Sequence, residues 1–162
     1  MNYLVLITLG TLLIVVFFAF TACSGLPQNP KRISITLSTG GGMSQNYTRI
    51  YISEDSCKYE RSYYDQALKE QKKEQLTYNI TKEELKTLYQ VFRQKRFMGI
   101  RVRREEEVHD RGGTSVTLMV DGKNYGKANA GLSFIKKGSQ KKFQVIVNAI
   151  AQLNASKIKN LK

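Results

Sequence analysis

A chain of 162 residues carries 26 Lys plus Arg against 13 Asp plus Glu, a formal charge of +13, and its length leaves little room for a second core, which argues against a multidomain enzyme. Hydrophobic residues make up 41% and charged residues 24% of the chain, a globular balance that excludes a disordered one. No charged residue precedes Lys31, so the chain divides into an apolar leader and a basic domain.

Tyr3 to Phe20 run apolar apart from Thr8, Gly10 and Thr11. As a helix, about 18 residues span about 27 Å, enough to cross a bilayer's hydrocarbon core and somewhat long for the apolar region of a signal peptide. The residues that follow decide the reading: Phe20-Thr21-Ala22-Cys23 precedes Ser24-Gly25-Leu26-Pro27-Gln28-Asn29-Pro30. Lipoprotein processing attaches a diacylglycerol to a cysteine thiol and then cuts on its amino side, so small residues must precede the cysteine. Thr21 and Ala22 meet that requirement. Phe20 stands where such motifs more often carry Leu, and the start Met1-Asn2-Tyr3 lacks the Lys or Arg usual in signal peptides.

The sequence therefore predicts a signal peptide over 1–22, a lipidated Cys23 heading a flexible tether over 23–30, and a single domain over 31–162. Each buried acyl methylene contributes about 0.8 kcal/mol, so one chain binds a membrane marginally and two or three bind firmly. An uncut signal anchor is the alternative. Lys31 and Arg32 would then place the domain in the cytoplasm under the positive-inside rule.

In the domain, Ile33, Ile35 and Leu37 alternate with Ser34, Thr36 and Ser38, the period of a half-buried strand. Gly40-Gly41-Gly42 reads as a flexible hairpin loop that ends it. A second strand is predicted over 46–53, with Ile50 and Ile52 on one face, and a third over 57–64 after the turn residues Glu54-Asp55-Ser56, giving an antiparallel meander. Cys57 shares parity with Tyr59 and Tyr63 and reads as a core thiol; with Cys23 lipidated it has no intramolecular partner. The charged stretch DQALKEQKKEQ has only Ala67 and Leu68 as apolar residues and reads as a long loop before a fourth strand carrying Leu76, Tyr78 and Ile80.

Thr81-Lys82-Glu83-Glu84 is a capping box. Leu85, Leu88, Tyr89 and Phe92 follow along one helical face, and Phe97-Met98-Gly99 close the helix. Val116, Leu118 and Val120 alternate again, Asp121-Gly122 marks a tight hairpin turn, and Tyr125 sits on the returning strand. Phe143, Ile146, Val147, Ile150 and Leu153 line a second helix with Ser139 as its candidate cap. Two one-faced helices and five to six antiparallel strands bury their apolar faces when both helices pack on one side of the sheet, so the expected class is α+β. A domain of about 130 residues buries roughly two thirds of its unfolded surface and needs neither metal nor disulfide.

On FTAC, the STGGG loop, the TKEEL helix start and the VDGKNY hairpin, the chain resembles bacterial lipoproteins that carry a small α+β domain of unknown function behind a lipobox. The likeness covers most of the chain by layout and about twenty residues by motif. It implies an envelope-anchored domain and brings no catalytic residue with it.

His109 is the only histidine, so a two-histidine metal site within one chain is excluded. The run Glu105-Glu106-Glu107-Val108-His109-Asp110 reads as a solvated loop whose acids are neutralised by the RVRR before it, and no metal site or cofactor is expected. The glycines at 40–42 lack the Gly-Lys-Ser/Thr of a phosphate loop, and Gly131-Leu132-Ser133-Phe134 lacks the last glycine of a nucleophile elbow. Catalytic residues are accordingly none.

No acidic residue follows Asp121, while nine lysines do. Lys136, Lys137, Lys141 and Lys142 gather at the predicted start of the second helix, against its dipole, and form a candidate site for phosphate or carboxylate groups. The expected function is a lipid-anchored, non-catalytic binding or scaffolding domain of the cell envelope. Its expected partners are the membrane, reached through Cys23, and anionic lipid, a cell-wall polymer or an acidic protein. Nucleic acid is disfavoured for an exported domain without an RNA-binding signature. The rival is an enzyme or enzyme inhibitor with a site dispersed in sequence.

Overall fold

The computed structural model describes residues 25–41, 44–105, 111–159 and 161. The leader, Cys23 and His109 lie outside them. In chain order the elements are β1 (Ile33–Gly41), β2 (Ser44–Ser53), β3 (Cys57–Asp65), β4 (Glu70–Tyr78), α1 (Lys82–Gln94), a 3-10 turn (Phe97–Gly99), β5 (Val102–Arg104), β6 (Gly113–Val120), β7 (Lys123–Asn129), β8 (Ser133–Ile135) and α2 (Lys137–Lys159). Six strands form one antiparallel sheet in the order β4-β3-β2-β1-β6-β7, and β5 pairs with β8 in a two-stranded ribbon. The class is α+β, as the patterning predicts.

Strand alternation builds the core. Ile35 and Leu37 of β1 stand opposite Ile52 and Ile50 of β2 on one side and Leu118 and Val116 of β6 on the other. All six are buried, together with Cys57 and Tyr78. Leu85, Leu88, Tyr89 and Phe92 of α1 and Phe143, Ile146 and Ile150 of α2 complete one continuous cluster with them. Both helices thus cover the same sheet face, and each buried Leu, Ile or Phe contributes roughly 1.5–3 kcal/mol. The first helix opens as its capping box dictates: the Glu84 N–H donates to Thr81 Oγ1 at 3.1 Å and the Thr81 N–H to Glu84 Oε2 at 2.8 Å. Asp121 and Gly122 both take positive φ, 49° and 81°, the mark of a type I′ hairpin turn.

Several expectations are corrected. The stretch DQALKEQKKEQ is a short turn and most of a strand, with β4 paired to β3 from Asp65↔Glu70 to Cys57↔Tyr78. Asp65 Oδ1 ties the turn by accepting the Ala67 and Leu68 N–H groups at 3.0 and 3.2 Å. β4 is an edge strand that is exposed or half-buried at every position but Tyr78, and its charges block pairing with another sheet. Gly40 and Gly41 are strand residues flanking a register shift in the β1–β2 pairing. Ser139 is not a cap. It is buried within the first turn of α2, where its Oγ accepts the Arg101 N–H at 3.1 Å. The β5–β8 ribbon, three residues a side, is too short for an alternation to announce it.

The segment expected to be a flexible tether is docked. Leu26 is only 6% exposed and belongs to the core, and the Tyr89 hydroxyl donates to the Pro27 carbonyl at 2.7 Å. Farther on, the Lys31 and Arg32 N–H groups both donate to Asp121 Oδ1, at 2.8 and 2.9 Å. From Gly25 onward the chain is therefore a strap on the domain.

Candidate binding face

The alternation that turns Ile35, Leu37, Ile50 and Ile52 toward the helices turns Thr36, Ser38, Arg49 and Tyr51 the other way. On that side Thr36 lies between Thr117 of β6 and Tyr51 of β2, and Tyr51 stands opposite Lys58 of β3. The next row runs from Ser38 through Arg49 to Glu60. With Ser56 these residues line a cavity of about 710 Å³. Its shape follows from side-chain size: short hydroxyl residues on the central β1 form a floor, and long side chains on β2 and β3 form a wall.

Arg49 and Lys58 are exposed. Arg49 faces Glu60 across the β2–β3 ladder. Among the described residues, the ion pairs within 4 Å are Lys72–Asp65, Arg103–Glu105 and Lys157–Glu84, and none involves Arg49, Lys58 or Glu60. The face thus offers a guanidinium and an ammonium against one carboxylate, among hydroxyls that both donate and accept. A guanidinium binds carboxylate or phosphate through two parallel hydrogen bonds, an ammonium acts as a point charge, and a tyrosine ring supplies apolar contact. Two cations and a hydroxyl floor suit an anionic, hydroxyl-bearing ligand.

Lys136, Lys137, Lys141 and Lys142 are all exposed, on or just before the helix that packs against the covered side of the sheet. The structure does not bring them to the trough. It brings the first two beside the β5 entry, because the Lys136 N–H donates to the Arg101 carbonyl at 3.0 Å. No acidic residue occupies the first turn of α2. Sequence reasoning missed Arg49 and Lys58, although their parity with Tyr51 and Glu60 opposite the apolar positions was the signal for them.

Other reactive side chains have structural roles. Arg111 lies 3.7 Å over the Phe134 ring and donates to the Gly131 and Ser133 carbonyls and to Asn129 Oδ1, so it locks the β7–β8 corner. Cys57 is fully buried with its thiol 3.7 Å from the Ser53 carbonyl. Burial pushes the thiol's pKa up from 9.0, which suppresses the nucleophilic thiolate. Among the described residues no group of three His, Cys, Asp or Glu side chains is placed to hold a metal, and no helix is long and apolar enough to cross a membrane. No protein-family model matches the chain, and a search of curated proteins gave no match.

Proposed function

We propose that this protein is a non-catalytic binding domain of the cell envelope, held at the membrane by acyl chains on Cys23, that takes an anionic polymer onto its uncovered sheet face. The observation that carries the reading is the trough itself, in which Arg49 and Lys58 stand without a close carboxylate partner over the hydroxyls of Thr36, Ser38 and Thr117. Acid–base or nucleophilic chemistry needs convergent groups of matched pKa, and Glu60 is the one carboxylate lining this cavity. Binding asks only for charge and hydrogen-bond complementarity, which the face has. The lipobox residues Thr21-Ala22-Cys23 and the basic excess support an envelope location with anionic neighbours.

The test uses full-length protein in detergent titrated with polyphosphate as the anionic polymer. Two charge-assisted contacts are lost in the Arg49→Ala/Lys58→Ala variant, so affinity is expected to fall at least about tenfold, and wild-type affinity is expected to fall as salt rises. Equal affinity in variant and wild type would remove the trough as the binding face. Intact mass of the membrane-extracted protein tests the anchor: a species starting at Cys23 with acyl mass, absent in Cys23→Ala, is expected. A chain that retains residues 1–22 unmodified would overturn it.

A further inference from the structure

We infer that the bilayer is itself a ligand of the domain: a rim formed by Arg96, Arg101, Lys136 and Lys137 rests on anionic lipid headgroups. This rests on the reading of Cys23 as the acylated anchor. The first observation is where the strap ends. Gly25 has φ +66°, and a Cβ added to it would lie 3.4 Å from Met98 Cγ. Leu26 is in the core and the Pro27 carbonyl is held by Tyr89. The chain is therefore fixed against the 3-10 turn at Gly25, and Cys23 is only two peptide steps earlier, at most about 7 Å of chain. A headgroup layer is itself about 5–8 Å deep on each side of the hydrocarbon core. Acyl chains on Cys23 cannot enter the hydrocarbon unless the surface around Met98 sits at headgroup level.

The second observation is what surrounds that point. Arg96 and Arg101 flank Met98 in the chain, and both are exposed. The Lys136 N–H donates to the Arg101 carbonyl at 3.0 Å and the Arg101 N–H to Ser139 Oγ at 3.1 Å, which sets Lys136 and Lys137 alongside. Lys127 adds an ammonium 3.2 Å from the Met98 carbonyl. No acidic residue occurs in 85–104 or 122–162, the two stretches that supply all five cations. Basic side chains close to an anionic leaflet add to its attraction, and their long stems let the charges reach it from the rim. The exit point of the anchor and the cations thus coincide, although nothing in the strap's packing requires them to.

The experiment is lysine acetylation footprinting of the full-length protein, its acyl mass verified first, in phosphatidylcholine vesicles with and without phosphatidylglycerol. With phosphatidylglycerol, Lys136 and Lys137 are expected to react at least about fivefold more slowly than in detergent, while Lys58 keeps its rate. The Arg96→Glu/Arg101→Glu variant, acylated as before, is expected to lose that protection. Acylated protein whose Lys136 and Lys137 react as fast as in detergent overturns the inference and leaves the anchor standing. Equal protection with and without phosphatidylglycerol overturns the role of anionic headgroups, and a chain without acyl mass overturns both anchor and inference.

Discussion

Glu84 joins three parts of the molecule through one carboxylate. It accepts the Thr81 N–H at 2.8 Å and meets Lys157 of α2 at 2.7 Å, with about a third of the side chain exposed. The Lys157 ammonium, followed by the Thr81 N–H, holds its pKa below the ordinary 4.5. A carboxylate whose folded value is depressed adds stability that is present above its unfolded value and is lost as pH falls through the folded one. Urea midpoints of wild type and Glu84→Gln are therefore expected to differ most near neutral pH and to converge below about pH 4.5. A gap that stays constant with pH would assign the difference to the amide rather than to charge. Nearby, the Tyr78 hydroxyl donates to Asn154 Oδ1 at 2.8 Å. Burial pushes this phenol's pKa far up, so it remains a neutral donor and ties β4 to α2.

The β1–β2 hairpin owes its shape to backbone sterics. Gly40 has φ +113°, and an added Cβ would collide with the Asn46 carbonyl and the Tyr47 α-carbon. Gly40→Ala is expected to cost about 2–4 kcal/mol by thermal or urea denaturation; a loss under about 0.5 kcal/mol, the range of an ordinary surface change, would show that the hairpin relaxes around the methyl. This glycine also shows what a local stretch of sequence conveys. A run of three glycines signals unusual backbone, yet whether it is a loop or a strand irregularity depends on the register of the partner strand. The α1 start and the Asp121-Gly122 turn were legible because their signals are local, a side chain capping its own backbone and two residues with positive φ. The extent of β4 was not, since an edge strand is specified by its neighbour and its charges resemble those of a loop. The start of α2 was missed for a like reason: Ser139 has the chemistry of a cap, but Arg101, 38 residues away, claims its hydroxyl.

For the whole molecule, residues 25–32 ahead of β1 are part of the fold. Leu26 is expected to behave as a core residue, and Leu26→Ala to cost about 2–4 kcal/mol in urea unfolding of the full-length protein; an unchanged midpoint would show that the strap is not packed in solution. Nothing local in Gly25-Leu26-Pro27-Gln28-Asn29-Pro30 announces this, because a single leucine has no period. Likewise, the sequence displayed the basic excess without placing it. Five of the nine lysines after Asp121 lie on α2, whereas the trough is assembled from outward positions on four strands and becomes visible only once register is known.

The docked strap also sets a search radius. Seven free residues would let an anchored domain swing through about 25 Å, whereas two give about 7 Å. A domain of about 130 residues is itself roughly 35 Å across. On the proposed reading, a domain acylated at Cys23 would sample a shell little thicker than its own body, and an anionic polymer would have to come down to the membrane to reach it.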